Sequence, residues 1–259
     1  MTTQSEGLSK RHKDMNKDGN HLNDDSKISE KILDSSMSEI INYTKKKFEP
    51  FGYKIILEKK ITLYQCQKYL HEAGGPEPDS ENKNYYMKPD GGIIYALKDN
   101  KKIPILIVED KVQGTNDKRY CENKARDSTG NAIERAAKNI RGAEMIFINQ
   151  KIFPYVLFAA GCDFHKTESI SKRIEMMNMG YPNHYIDIDE KTTPENIQTN
   201  MEKIVSDINI NKRCGGSIAS IFIKAHKWDK MSHNSSLWKK EERVYILKSI
   251  IDKVFMSFS

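Results

Sequence analysis

Lys88-Pro89-Asp90-Gly91-Gly92-Ile93-Ile94-Tyr95, a charged interval, and then Ile103-Pro104-Ile105-Leu106-Ile107-Val108-Glu109-Asp110-Lys111 is the stretch that decides the fold. Gly92 to Leu97 is mostly apolar, as a buried strand would be. Ile103 to Val108 is an apolar run too short for a helix and rich in β-branched residues. The polar interval Lys98 to Lys102 between them predicts a hairpin turn. Strand side chains alternate faces, so Glu109 and Lys111 share one face while Val108 and Asp110 share the other. If the hairpin pairs about its turn, Asp90 at the mouth of the first strand comes level with Glu109 at the end of the second. Two carboxylates and one ammonium then meet at one end of a sheet.

That trio suits metal-dependent phosphodiester hydrolysis. One or two carboxylates, with water completing an octahedron, are the usual way to hold Mg²⁺. The ion polarises a phosphoryl oxygen and acidifies a bound water, and a neighbouring lysine steadies developing negative charge. The structural alternative is also plain: strands end in charged residues where they re-enter solvent, and Pro-Asp-Gly-Gly is ordinary turn chemistry. The two halves taken together favour the catalytic reading.

The 259 residues are 37% hydrophobic and 30% charged, with a net charge of +6 and a pI near 8.9. This predicts one large domain with an adequate core, and a modest positive balance that fits a polyanionic partner. Cys66, Cys121, Cys162 and Cys214 lie far apart with no metal-site spacing, so they read as thiols of a reducing cytoplasm. No signal-type or membrane-length apolar run occurs, which predicts a cytosolic protein without a membrane partner.

Residues 1–27 are polar, with Lys10-Arg11-His12-Lys13 and Lys17, and read either as a basic arm along a nucleic-acid backbone or as an idle terminus. Residues 28–259 form the single folded domain. It opens with a helix over Ile28 to Phe48, its stripe being Ile28, Ile32, Leu33, Ile40, Ile41 and Phe48. Strands are predicted over Tyr53 to Leu57, Phe153 to Ala160, Tyr185 to Ile188 and Gly216 to Lys224. Helices are predicted over Ile61 to Ala73, Asn131 to Ile148, Pro194 to Ile208 and Leu237 to Phe255, where Trp238 is core or interface. Gln113 to Thr129 and Gly161 to Met179 read as polar, poorly periodic segments. Asn131, Glu134 and Arg135 open a helix, where Asn and Glu serve either as caps or as groups presented to base edges.

Lys88-Pro89-Asp90-Gly91-Gly92-Ile93, Lys111-x-Gln113-Gly114, Gly130-Asn131-Ala132-Ile133-Glu134-Arg135 and Phe153 to Phe158 together resemble, in the same order, the EcoRI-type type II restriction endonucleases of the PD-(D/E)xK superfamily. The likeness is clear from about Tyr86 to Phe164. It implies an α/β fold with a mixed β-sheet flanked by helices. It implies Asp90, Glu109 and Lys111 as catalytic residues, with Mg²⁺ on Asp90, Glu109 and the Val108 carbonyl. Glu58, whose offset from Asp90 matches an acidic position of the family, would lie near the metal. Gly130, Asn131, Ala132, Glu134, Arg135 and Lys138 would contact DNA. Arg173 falls, counting back from Gly180, where the family's namesake carries a guanine-contacting arginine. The resemblance further implies a homodimer on palindromic double-stranded DNA with central AATT, GAATTC first, and a cognate methyltransferase. Cuts would leave 5′-phosphate and 3′-hydroxyl ends. Asp110 departs from the namesake, which has a small apolar residue between its Glu and Lys, and Asp127-Ser128 also differ. The alternatives are a structure-specific nuclease, which needs no base-reading box, and a DNA-binding protein without catalysis, which needs no acidic trio.

Overall fold

The computed structural model describes residues 22–72, 74–79, 84–114, 119, 123–125, 130–148, 150–165, 168–176, 185–189, 191–208, 210, 219–227 and 236–258. Its elements are α1 (Leu22–Phe48), β1 (Lys54–Glu58), β2 (Ile61–Thr62), α2 (Leu63–Glu72), β3 (Tyr86–Met87), β4 (Gly92–Lys98), β5 (Lys101–Val112), α3 (Gly130–Ile146), β6 (Tyr155–Ala160), α4 (Glu168–Met176), β7 (Tyr185–Ile188), α5 (Pro194–Asp207), β8 (Ser220–His226) and α6 (Lys240–Met256). Six strands form one mixed sheet in the order β1-β4-β5-β6-β8-β7. The hairpin side is antiparallel, β5 to β6 to β8 is parallel, and β7 joins β8 in parallel. A two-stranded ribbon of β2 and β3 lies apart from this sheet.

The predicted hairpin is present, and its turn is tighter than the charged interval suggested. Lys98 pairs with Lys101, and Asp99 and Asn100 take φ values of 51° and 62°. Two left-handed residues match the right-handed twist of the flanking strands, and Asx residues tolerate that region. Pro104 cannot donate to a ladder, and the register shifts beside it, between Ile94 and Tyr95 of β4. Beyond the shift the alternation is regular to the end of β5.

Each face of the sheet carries its own core. Val108, Val156, Phe158 and Phe222 point to one side and pack with Leu33, Met37 and Ile40 of α1, Met201 and Ile204 of α5, and Leu247 and Ile251 of α6. Ile107, Tyr155, Leu157 and Ile223 point to the other and pack with Cys66 of α2, Ile133, Ala136 and Ile140 of α3, and Ile170 and Ile174 of α4. Trp238 is core: it is fully buried, and its Nε1 donates to the Ala159 carbonyl at 3.0 Å. Cys66 and Cys162 are buried and in no disulfide, while Cys121 and Cys214 lie outside the described residues.

Three expectations shift. Helix α1 begins at Leu22, inside the segment read as an arm, while residues 1–21 lie outside the described residues. Its buried stripe is Ser29, Leu33, Ser36, Met37, Ile40, Thr44 and Phe48, and Ile28 is exposed. The stripe tolerates hydroxyls because Ser36 and Thr44 donate to the carbonyls of Ile32 and Ile40, at 2.8 and 2.7 Å. The segment read as one helix from Ile61 starts instead as β2, and Thr62 caps α2. The Gln65 N–H donates to Thr62 Oγ1 at 3.2 Å, and the Thr62 N–H to Gln65 Oε1 at 2.7 Å, a reciprocal capping box. The polar stretch after Gly161 contains α4, held by Ile170 and Ile174 one turn apart.

Behind β5, the guanidinium of Arg243 on α6 is fully buried. Its Nη2 lies 3.0 Å from Asp110 Oδ2 and 2.6 Å from the Ser29 hydroxyl, which itself donates to Asp110 Oδ2 at 2.6 Å. Removing one partner leaves the other charge buried and unpaired. Arg243→Ala should therefore lower stability by about 3–5 kcal/mol in urea unfolding, and Arg243→Met with Asp110→Leu should lose much less. Equal losses in the single and double variants would show that the pair is not coupled.

Candidate active site

The register of the hairpin builds the site. Gly92 pairs with Val108 while β5 continues to Val112, so the chain preceding β4 runs alongside the last residues of its partner strand. Gly91 N–H donates to the Val108 carbonyl at 2.9 Å, and Gly92 N–H to the Pro89 carbonyl at 2.9 Å. The approach is close enough to demand glycine. A Cβ on Gly91 would sit 2.7 Å from Val108 Cβ, and Gly92 takes φ +81°, with its would-be Cβ 2.8 Å from the Glu58 carbonyl. Asp90 is thereby delivered beside β5, where its Oδ2 accepts the Asp110 N–H at 3.1 Å.

Lys111 closes the trio. Its Nζ lies 2.9 Å from Asp90 Oδ2, 2.6 Å from Glu109 Oε1 and 3.0 Å from the Asp110 carbonyl. Glu109 is 2% exposed, Lys111 25% and Asp90 40%, so the cluster grades from a buried carboxylate to an exposed one. Burial raises the Glu109 carboxyl above its ordinary range against the pull of Lys111. Burial acts to lower the Lys111 ammonium, but Glu109 and Asp90 outweigh it and the net shift is upward. On β6, burial and the two carboxylates raise the Tyr155 phenol well above its usual value.

These oxygens suit a hard divalent cation. Asp90, Glu109 and the Asp110 carbonyl converge on a cation already, the lysine ammonium. Glu109 Oε2 is buried with no hydrogen-bond partner. Among the described residues no three His, Cys, Asp or Glu side chains gather into a metal cluster, and the donors that meet at the trio are two carboxylates and a main-chain oxygen, all hard oxygen ligands. The Val108 carbonyl, expected as a ligand, accepts the Gly91 N–H. The backbone oxygen that stands at the trio is that of Asp110. Glu58 ends β1, two strands from β5, and its Oε1 is held by Lys102 Nζ at 2.5 Å. It is not part of the cluster.

The base-reading candidates lie on α3, which starts at Gly130; the side chains of Asn131 and Ala132 lie outside the described residues, as do Asp127 and Ser128. Arg135 and Lys138 are exposed. Glu134 meets Arg173 of α4 at 3.8 Å. Two residues distant in sequence are thus brought to one place near the start of α3. Asn139, which the sequence reading passed over, donates from Nδ2 to Glu109 Oε1 at 2.8 Å. A lone Asn on a helix flank gives no periodic signal. Its one mark is a position one turn beyond Arg135.

A mixed sheet whose central hairpin brings Pro-Asp and Glu-x-Lys to one end has the form of a restriction-endonuclease-like α/β core. The chain belongs to the restriction endonuclease EcoRI family, whose sequence model matches residues 17–252. It is 29% identical over 182 residues to the type II restriction enzyme EcoRI of Escherichia coli, covering 60% of this chain and 64% of that one. It is 29% identical over 161 residues to the type II restriction enzyme RsrI of Cereibacter sphaeroides, covering 55% of this chain and 57% of that one. The match therefore spans under two thirds of each relative.

The Glu109 shift sets a pH test on metal-free protein. A folded-state pKa raised above the unfolded one contributes stability that is present below the unfolded value and lost as pH rises through the folded value. In EDTA, wild type should lose stability relative to Glu109→Gln as pH rises from about 4.5 toward neutrality. Urea midpoints that stay parallel across that range would contradict the assignment.

Proposed function

We propose that this chain is a type II restriction endonuclease, a site-specific deoxyribonuclease making Mg²⁺-dependent cuts in both strands of DNA. The observation that carries the reading is the Lys111 ammonium tied to Asp90 and Glu109 at 2.9 and 2.6 Å, at the end of the hairpin. Asp90, Glu109 and the Asp110 carbonyl would hold the ion, and Mg²⁺ when bound supplies Lewis acidity toward the scissile phosphate and the attacking water.

The chain's own groups do the rest. Lys111, kept protonated by its two carboxylates, donates a hydrogen bond to the attacking water and meets the charge that grows on the phosphoryl oxygens. The water oxygen forms a bond to phosphorus and gives up one proton to surrounding water, while the bond from phosphorus to O3′ breaks and the electron pair leaves with O3′, which takes up one proton from surrounding water. The products are 5′-phosphate and 3′-hydroxyl ends.

Specificity is assigned to the start of α3, with Asn131 reading adenine, Glu134 and Arg173 adjoining it, and Gly130, Ala132, Arg135 and Lys138 near the backbone or bases. Two identical sites on a two-fold axis match a palindrome, so the working form is a homodimer. The site is a palindrome with central AATT, GAATTC first, because an arginine at Arg173 pairs bidentately with guanine. A cytoplasmic enzyme of this kind needs a cognate methyltransferase to protect the host's own sites. Among the described residues no helix is long and apolar enough to cross a membrane.

Purified protein with Mg²⁺ should yield discrete fragments from plasmid DNA and none in EDTA. Glu109→Ala should lower the cutting rate by about 100-fold or more while specific binding survives. A folded Glu109→Ala protein that cuts at the wild-type rate would overturn the catalytic assignment.

For specificity, matched duplexes carrying GAATTC, CAATTG, AATT in other flanks and GATATC decide the matter. AATT duplexes should be cut and GATATC spared, and Asn131→Ala should cost about 1–3 kcal/mol of discrimination at the adenine. Cutting of GATATC alone would defeat the readout assignment, whereas cutting AATT outside GAATTC would remove only the role of Arg173.

A further inference from the structure

The geometry points to Asn139 as a positioning residue that couples base reading at the start of α3 to the catalytic carboxylate Glu109. The inference rests on the proposed nuclease reading and deepens it. Asn139 Nδ2 donates to Glu109 Oε1 at 2.8 Å, and the same oxygen takes Lys111 Nζ at 2.6 Å. Glu109 is 2% exposed, and its Oε2 has no hydrogen-bond partner. Two donors on one oxygen therefore orient the carboxylate and leave the other oxygen, buried, without a hydrogen bond. Of the two, Lys111 stands on a flexible four-carbon stem, whereas Asn139 has a short side chain on a long helix. The amide is also neutral. It holds the carboxylate without cancelling the charge that a divalent cation needs, which a lysine or arginine at this position would do.

The helix supplies the link. Positions 131, 135 and 139 are spaced i, i+4, i+8 and fall along one stripe of α3. At 1.5 Å per residue the stripe covers about 12 Å from the reading end to Asn139. Ile133, Ala136, Ile140 and Ala143 are buried against the sheet, and the small alanines let the helix lie close. Glu134, on the neighbouring stripe, meets Arg173 of α4. So clamped, α3 moves as one body. A mismatched base that displaces its first turn also displaces Asn139, and with it the Glu109 oxygen. The cognate base pair thus sets the geometry of the metal-binding carboxylate.

The experiment measures single-turnover cutting at saturating protein for wild type, Asn139→Leu and Asn139→Ala. Each is tested on the AATT-centred duplex that wild type cuts fastest and on the same duplex with one central base pair changed. Binding without metal and thermal unfolding are measured alongside. Misplacement of a reacting group by about 1 Å costs about 100-fold in rate, so the variants should lose about 10–100-fold at the cognate duplex. Binding should change little, and the loss at the altered duplex should be smaller, so that discrimination in cutting shrinks. A wild-type rate in a folded Asn139→Leu or Asn139→Ala protein overturns the inference. So does an equal fractional loss on both duplexes, or a loss confined to binding. If wild type cuts no duplex at all, the nuclease reading fails first, and this inference falls with it.

Discussion

The ion pair between Asp110 and Arg243 holds the site from behind. Asp110 stands between Glu109 and Lys111 of β5 and faces the opposite side of the sheet, where Arg243 of α6 and Ser29 of α1 meet it. Its peptide works for the front face: the N–H donates to Asp90 at 3.1 Å and the carbonyl accepts from Lys111 at 3.0 Å. Burying two such ions costs several kcal/mol each, roughly, and only close geometry offsets it. The same buried pair that ties β5 to two helices therefore fixes the residue on which Asp90 and Lys111 both depend.

On the front face the balance is electrostatic. A carboxylate as buried as Glu109 would tend to keep its proton, and a lysine as buried as Lys111 would tend to lose one. Each opposes that tendency in the other, and Asp90, at the open end, adds a second negative charge. The arrangement keeps a charged ammonium at the point where oxygens converge. It is suited to a cation-dependent reaction on an anion and ill suited to a passive strand end, where such burial would bring cost without return.

The hairpin was legible in the sequence because its signals are local: an apolar run too short for a helix, a polar interval, and a two-residue alternation that placed Glu109 with Lys111 and Asp110 opposite. The sheet beyond it was legible as buried strands. What was not legible depends on contacts between distant segments. The stripe of α1 was misjudged because Ser29, Ser36 and Thr44 count as polar in a pattern, yet they bury once their hydroxyls find partners. Helix α4 was missed because nine residues with two buried isoleucines give little periodicity. Arg173 reached its place by resemblance alone, and only the fold shows it beside Glu134. Asn139 and Arg243 are single polar residues on helices, and no spacing announces the strand residue each one meets.

The departure at Asp110 follows from the same geometry. A small apolar residue at this position leaves the front of the strand unchanged, because the peptide that serves Asp90 and Lys111 is the same for any side chain. Behind the sheet it would strand the Arg243 guanidinium without a counter-charge in a pocket with no solvent access. Position 110 is therefore free to vary only together with position 243, while Asp90, Glu109 and Lys111 are bound to one another. The two faces of one alternating strand share only the backbone, so a rear-face pair that is replaced as a pair leaves in place the peptide that serves Asp90 and Lys111.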